Sequence, residues 1–477
     1  MNDIWPALRQ ELLKAGQESL VRHVDSLPQP AQQRLREQLR QVDWARLAMW
    51  YQQFRAGGTP SPLLTGLTQA RTPEALLRRR GHGTETEAEW QQAVYCGTRL
   101  LEQGRVAALV VAGGQGTRLG AACPKGLLSI GPVSSRSLFQ LFAEQLLARQ
   151  RRARARIPYL IMTSSATHAE TTRAWEAHQW FGLPPDDVWF FQQGHYPAVD
   201  ARTGEVLLAA PDALAFSPDG HGGVLKALHT QGWFAHLRSR GITHIFYHQV
   251  DNPCTIVCDP AFLGWHALRQ AQVSTKVVRK RSPQEKMGVA VQVGSLTGIV
   301  EYSDLSADQA TATTPEGDLQ FWAGSTAMHV FSLDFLEHVA TRDSLPIHFA
   351  HKIVPHWTPA QGWIEPTEPQ AIKFEHFIFD VLPQAERTLF MEVSREDEFN
   401  PVKNASGIDS LETAREALCA CYRRWLRSAG AEIAEDTLVE ISPLVALDAD
   451  EVREKLPSGL KIPQNWVWAE TNPGSAC

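Results

Sequence analysis

The chain has 477 residues, 43% hydrophobic and 21% charged, with a formal net charge of −6. These are the proportions of a globular protein long enough for two or three domains. They leave no electrostatic case for a nucleic-acid binder, which shows a basic domain, and no apolar run approaches the roughly 20 residues that span a bilayer.

The seven cysteines (Cys96, Cys123, Cys254, Cys258, Cys419, Cys421, Cys477) are scattered and odd in number. That pattern suits free thiols in a reducing compartment, not a disulfide framework or a zinc site. The first residues, MNDIWPALRQELLKAG, carry charges and no apolar segment. A secretory signal is therefore not expected, and a cytoplasmic location is.

Residues 1–104 read as a helical N-terminal region. Trp5, Leu8, Leu12 and Leu13 recur at helical spacing, as do Leu35, Leu39, Val42 and Leu47. Pro28, Pro30, Pro60 and Pro62 punctuate the region. Arg78-Arg79-Arg80 reads as a solvated face. Glu87 to Gly104 is expected to form the helix that leads into the first strand.

From 105 to 385 apolar strands alternate with helices. Val106 to Val111 is short, β-branched and bounded by glycine, as a buried parallel strand is. Further strands are expected over Ile157 to Met162, Val188 to Phe191, Ile242 to Val250, Lys276 to Val278, Gly288 to Val293 and Gly298 to Tyr302. Thr163-Ser164-Ser165 reads as an N-cap for a helix beginning near His168, and an amphipathic helix opens at about Ser137. This alternation predicts a mostly parallel sheet with helices on both faces, with ligands beyond the carboxyl ends of the strands. From 386 to 477 the composition shifts to a strand-like start, a helix over Ser410 to Ala429, and a proline-spaced remainder (Pro443, Pro457, Pro463, Pro473) expected to form a small mixed C-terminal domain.

The first strand breaks into Ala112-Gly113-Gly114-Gln115-Gly116-Thr117-Arg118-Leu119-Gly120, followed by Pro124-Lys125. Glycine lets backbone N–H groups converge and lets a bulky anion approach the main chain. Arg118 offers bidentate phosphate contact and Lys125 a point charge. Together they make a cradle for a polyphosphate. No Lys-Ser or Lys-Thr follows the last glycine, which excludes the P-loop, and the G-x-G-x-x-x-G spacing is not the dinucleotide fingerprint. The 17 histidines show no H-E-x-x-H spacing, and there is no G-x-S-x-G elbow.

Three more stretches fall at strand ends. Gln192-Gln193-Gly194, read as a buried amide, offers the donors and acceptor that a uracil edge needs, though by itself a polar loop is the simpler reading. Ser217-Pro218-Asp219-Gly220-His221-Gly222-Gly223 is a second glycine-rich loop, compatible with a base or ribose and with an ordinary turn. Val250-Asp251-Asn252 places one carboxylate where Mg²⁺, which favours few carboxylates and substrate phosphates, could be held.

The segments AGGQGTRLGAACPKG (Ala112 to Gly126) and REDEFNPVKNA (Arg395 to Ala405) carry a resemblance. They are similar to those of the eukaryotic-type UDP-sugar pyrophosphorylases, most closely the UDP-N-acetylhexosamine pyrophosphorylases, and the likeness extends over roughly 90–445. It implies a Rossmann-like, GT-A-like nucleotidyltransferase core over 105–385. It also implies a reaction in which UTP and a sugar 1-phosphate, N-acetylglucosamine 1-phosphate first, give a UDP-sugar and pyrophosphate. In that reading Arg118 and Lys125 are catalytic. UTP is bound by Ala112, Gly113, Gly114, Gly116, Thr117, Gln192, Gly222 and Lys373, with Gln193 a second choice. The sugar phosphate is met by His221, Glu301, Tyr302, Ser325 and Lys403, and Asp251 holds Mg²⁺.

Only small-molecule partners are implied, with no nucleic acid and no membrane, in a monomer or homodimer. Hexosamine members usually carry Asn where this chain has His221, and Asn-Ala-Gly-Asn where it has Trp322-Ala323-Gly324-Ser325. Both differences point to a UDP-glucose or broad UDP-sugar pyrophosphorylase as the alternative. A non-catalytic nucleotide-sugar sensor is the remote one.

Overall fold

The fold is a computed structural model that describes residues 5–58, 61–121, 123–457 and 459–470. Pro60, Ala122, Pro473 and Cys477 lie outside them. The β-branched run that opens the glycine loop forms strand β2, and the sheet grows from it on both sides. Its strands among the described residues are β1 (Leu76–Leu77), β2 (Val106–Val111), β3 (Tyr159–Thr163), β4 (Val188–Gln192), β5 (His244–Gln249), β6 (Val273–Arg279), β7 (Val289–Val293), β8 (Leu296–Val300), β9 (Ala323–Ser332) and β10 (Thr388–Glu392). The order is β1-β10-β6-β9-β5-β2-β3-β4, with the β7–β8 hairpin joined to β9. Pairings along this path are parallel except the two made by β9. The architecture is thus α/β with a large, mostly parallel central sheet.

The continuous apolar composition of β2 follows from burial on both faces, as parallel strands require. Helix Leu138–Ala153 starts where Ser137 accepts the Gln140 N–H at 3.2 Å. Most of its residues are buried, among them Glu144 and Arg149. Helix Glu87–Glu102 is started by a capping box of Thr86 and Glu89. It crosses helix Pro260–Leu268 with no side chain between the backbones: a Cβ on Gly97 would lie 2.7 Å from the Pro260 carbonyl carbon and 2.9 Å from Gly264 N.

The chain divides into two compact units, one of Met1–Ser61, Gln193–Lys226 and Asp343–Asp380, the other of Pro62–Gln192, Ala227–Arg342 and Val381–Cys477. The second unit contains the whole central sheet. The expected boundaries at 104/105 and 385/386 both fall inside it. Strand β10, read as the start of a C-terminal domain, lies between β1 and β6, and Leu418, Tyr422, Ile441 and Trp468 share one core with Val106 and Phe139.

In the first unit, helices Trp5–Lys14, Glu18–Ser26, Gln29–Leu39 and Trp44–Arg55 turn Leu12, Val24, Leu35 and Leu39 onto Val199, Ile372 and Phe374. The N-terminal helices therefore pack on segments distant in sequence, while residues 62–104 belong with the sheet. No helix among the described residues is long and apolar enough to cross a membrane.

Candidate active site

Strands β5, β2, β3 and β4 end in register, Gln249 beside Val111, Val111 beside Met162, Met162 beside Phe191. Ala112, Thr163, Gln192 and Asp251 therefore stand along one carboxyl edge. From this edge the glycine loop is held by its own backbone. Gly116 N–H donates to Cys123 O at 2.9 Å, Ala121 N–H to Gly116 O at 3.1 Å, and Lys125 N–H to Gly114 O at 3.1 Å. Ser164 Oγ donates to Gly113 O at 2.7 Å. Ser164 thus anchors the loop, and Thr167, which makes no side-chain cap, precedes helix His168–Ala177. Gly114 is exposed, with no atom within 4 Å of where its Cβ would be. Gly113 is half-buried, Thr117 and Arg118 are exposed on the single turn Gly116–Leu119, and Gly120 closes it at φ +72°. Gly126 lies against the Phe139 ring, which pins the Lys125 end of the loop to helix Leu138–Ala153.

Lys125 reaches from this loop to the end of β5. Its Nζ lies 3.7 Å from Asp251 Oδ2 and donates to Val402 O at 3.3 Å. Val402 N–H in turn donates to Asp251 O at 2.8 Å. Asn252 Nδ2 donates to Glu398 O at 2.7 Å, and Asn252 Oδ1 accepts the Asn400 N–H at 3.1 Å. The two stretches that carry the sequence resemblance thus meet around Asp251. Neighbouring Lys403 is exposed, its Nζ 5.7 Å from the Phe399 ring centroid.

Asp251 is a candidate metal carboxylate. No group of three His, Cys, Asp or Glu among the described residues is arranged to hold a metal ion. A lone, partly buried carboxylate beside a lysine fits Mg²⁺, which keeps water and phosphate oxygens as its other ligands.

Other expected residues fall into separate groups. Gln192 ends β4 with an exposed side chain, not the buried amide expected, and its carbonyl accepts Gln231 Nε2 at 3.0 Å. Glu301 and Ser325 meet at Gly288: a Cβ there would lie 2.9 Å from Glu301 Oε1, and Ser325 N–H donates to Gly288 O at 2.8 Å. Tyr302 is 43% exposed. Trp322 is buried with the guanidinium carbons of Arg78 and Arg279 each 4.9 Å from its ring centroid. Both arginines pair with Glu392. Trp322 therefore braces the sheet.

The first unit holds His221, Gly222 and Lys373. Gly222 N–H donates to His376 O at 2.7 Å, and a Cβ at Gly222 would lie 2.7 Å from Phe377 N, so only glycine fits. Lys373 is half-buried on strand Ala371–Glu375. The His221 ring stacks on Phe377, centroids 5.2 Å apart, and its Nδ1 accepts the Ile378 N–H at 3.1 Å. Enclosure holds its pKa down to about 4. Beneath the loop, burial raises the Asp219 carboxyl to about 6 against the hydrogen bond from Gln193.

These shifts predict an acid-sensitive fold. Burial also lowers His248 to about 3 and holds His266 well below its ordinary range. A histidine depressed in the folded state stabilises the protein above about pH 6.5, and that stability is lost as pH falls through the folded value. Asp219 has the opposite sign: its raised pKa stabilises the fold at low pH and the contribution is lost as pH rises through about 6. At pH 5 unfolding takes up protons at these histidines and at His244, also lowered to about 4 by burial, and releases one at Asp219, so the uptake outweighs the release and stability falls as the pH drops. Urea midpoints between pH 7 and 4.5 measure this. A His248→Gln variant is expected to show a slope smaller by about one proton.

The geometry stands beside three comparisons. The sequence profile described as UTP–glucose-1-phosphate uridylyltransferase matches residues 86–457. UDP-N-acetylglucosamine diphosphorylase 2 of Arabidopsis thaliana is 40% identical over 373 residues, 73% of this chain and 72% of that protein. The UDP-N-acetylglucosamine pyrophosphorylase of Saccharomyces cerevisiae is 33% identical over 449 residues, 91% of this chain and 94% of its own. The crystal structure of the uridine diphosphate N-acetylglucosamine pyrophosphorylase of Trypanosoma brucei in complex with inhibitor superposes with a TM-score of 0.82 at 27% identity, covering 97% of this chain and 99% of that one. The chain belongs to the UTP–glucose-1-phosphate uridylyltransferase family, the family of the UDP-sugar pyrophosphorylases.

Proposed function

We propose that this protein is a UDP-N-acetylglucosamine pyrophosphorylase, a uridylyltransferase that converts UTP and N-acetylglucosamine 1-phosphate into UDP-N-acetylglucosamine and pyrophosphate. The observation that carries it is the meeting of Lys125, Asp251 and the Val402 backbone at the mouth of the glycine loop. Relatives of that name span nearly the whole chain.

A sugar phosphate oxygen attacks the α-phosphorus of UTP in line, and pyrophosphate leaves opposite. The attacking phosphate is already an anion, so no general base is needed; the protein's task is to align two polyanions and offset their charge. The glycine loop (Ala112, Gly113, Gly114, Gly116, Thr117) holds the nucleotide phosphates with Arg118 and Lys125. Gln192 meets the base, and in the first unit Gly222 and Lys373 keep the nucleotide-binding roles that the resemblance implies. Glu301, Tyr302, Ser325 and Lys403 receive the sugar phosphate. Asp251 would hold Mg²⁺, which when bound would supply charge neutralisation for the phosphates. The core is read as a GT-A-like nucleotidyltransferase, acting in the cytoplasm as a monomer or homodimer without nucleic-acid or membrane partners.

His221 and Ser325 favour the alternative, glucose 1-phosphate. His221 is neutral and stacked, and the Ser325 hydroxyl already accepts the Ala327 N–H at 3.3 Å. Pyrophosphate release from UTP and Mg²⁺, with N-acetylglucosamine 1-phosphate, N-acetylgalactosamine 1-phosphate or glucose 1-phosphate in parallel, decides between them. The expected result is at least a tenfold higher kcat/KM for the N-acetylglucosamine compound, a factor within reach of one lost or gained contact of about 1.4 kcal/mol. Preference for glucose 1-phosphate moves the protein to the glucose branch, and no turnover with any of the three overturns the enzymatic reading.

A further inference from the structure

Below the candidate site, in the sheet-bearing unit, three buried charged side chains, Lys276, Glu398 and Arg149, gather with the half-buried Asp259. Lys276, on β6, has no solvent exposure. Its Nζ donates to Asp259 Oδ2 at 2.7 Å and to Glu398 Oε2 at 2.5 Å. Asp259 is the N-cap of helix Pro260–Leu268, accepting the Ala261 N–H at 3.0 Å. Buried Arg149, whose Nε donates to Val257 O at 3.4 Å, acts electrostatically on Asp259 and completes a group with two positive and two negative charges. Such a group sits far from water only if it is paired and bonded, and cutting one partner leaves an uncompensated charge.

Glu398 leads from this group to the site. Its own carbonyl accepts Asn252 Nδ2. Four residues on, Val402 bonds the Asp251 carbonyl through its N–H and Lys125 Nζ through its carbonyl. One short segment, 398–402, is therefore anchored at one end by a buried ammonium and at its other end bonds the Lys125 side chain and the backbone carbonyl of Asp251, the two residues assigned to phosphate and Mg²⁺. A segment whose only task was packing would not need a charge at its buried end, since apolar residues of similar volume serve as well there.

We infer that Lys276 is a positioning residue: by holding Glu398 it fixes segment 398–402 and, through it, the separation of Lys125 and Asp251. The inference rests on the site assignment above. Partners that orient a metal-binding side chain typically change metal affinity 10- to 100-fold when lost.

Glu398→Ala cuts the tether while leaving Lys276 paired with Asp259. Two readouts follow it, amide hydrogen exchange at Asn400 and Val402 and the Mg²⁺ concentration giving half-maximal pyrophosphate release. Both are expected to rise about tenfold, with kcat/KM at saturating Mg²⁺ changed much less. Glu398→Gln, which keeps an acceptor for Lys276, is expected to restore most of the difference. Asp259→Asn, which leaves the Lys276–Glu398 link intact, is expected to stay within twofold of wild type in both.

A second buried ion group, Arg136 with Glu144 and Glu440, is the control for stability alone. Arg136→Met should lower the urea midpoint and leave exchange at Val402 unchanged. Unchanged exchange and Mg²⁺ requirement in Glu398→Ala, or equal changes in Asp259→Asn, overturn the inference. The exchange readout needs no turnover, so an inactive wild type would defeat the proposed reaction while still deciding whether the tether exists.

Discussion

Replacing Arg118 by alanine lowers kcat about 100-fold or more, the loss expected when one preorganised donor to transition-state charge is removed, and changes UTP affinity far less. Arg118 stands on the exposed turn Gly116–Leu119, and among the described residues its guanidinium makes no hydrogen bond or ion pair. The substitution therefore removes charge from the site without removing support from the fold, and the urea midpoint should stay within about 0.5 kcal/mol of wild type. A guanidinium offers two parallel N–H bonds to a phosphate, so Arg118→Lys recovers only part of the rate.

Lys125 behaves differently. Its Nζ is already engaged by Asp251 and Val402. Lys125→Ala should therefore raise KM as well as lower kcat, because the geometry around Asp251 loosens with it. Steady-state kinetics with UTP and N-acetylglucosamine 1-phosphate separate the two patterns. An Arg118→Ala enzyme with wild-type kcat would place the guanidinium outside the transition state.

The sequence made these two residues visible because their chemistry is local. Glycine, Arg and Lys between a β-branched run and a helix suffice to suggest a phosphate cradle, and β2 to β5 are legible because strands buried on both faces are continuous apolar runs. Strand β9 is not legible in that way. It begins Ala-Gly-Ser-Thr-Ala, in which Thr is the lone good strand former, it places Ala327 at φ +56°, and its register with β6 shifts between Thr275 and Val277. Strand β10 has the right composition, but its place between β1 and β6 is a non-local fact.

The supporting residues of the site were hidden for the same reason. Ser164 reads as a helix cap until its bond to Gly113, 51 residues away, is known, and the partner of Asn252 lies 146 residues along the chain. Gly-His-Gly at 220–222 shows a ligand-like composition, whereas the burial that holds His221 neutral comes from a tertiary enclosure that includes Phe377, 156 residues along the chain.

Gly264→Ala is expected to destabilise the protein by about 3 kcal/mol or more, against the usual sign for a glycine in a helix. Alanine is favoured over glycine in a helix interior by about 1 kcal/mol, so a surface glycine in helix Pro260–Leu268 would gain stability from the change. Gly264 is buried where that helix crosses Glu87–Glu102. A Cβ there would lie 2.5 Å from the Ala93 carbonyl carbon and 3.0 Å from its Cα. Those are backbone atoms, so neither helix can yield by a rotamer change. The helices must separate, and the edge-on contact of Trp90 with Trp265, centroids 5.4 Å apart, opens with them.

Overpacking of this kind costs about 1–3 kcal/mol when side chains can adjust and more when they cannot, which outweighs the propensity gain. Gly97→Ala meets the same crossing from the other side. The double variant should therefore cost less than the sum of the two, because once the helices have parted the second methyl enters space already opened. Urea midpoints of the three variants test this directly. A Gly264→Ala protein as stable as wild type would mean that the two backbones do not touch, and additive losses would mean that the two glycines do not report one crossing.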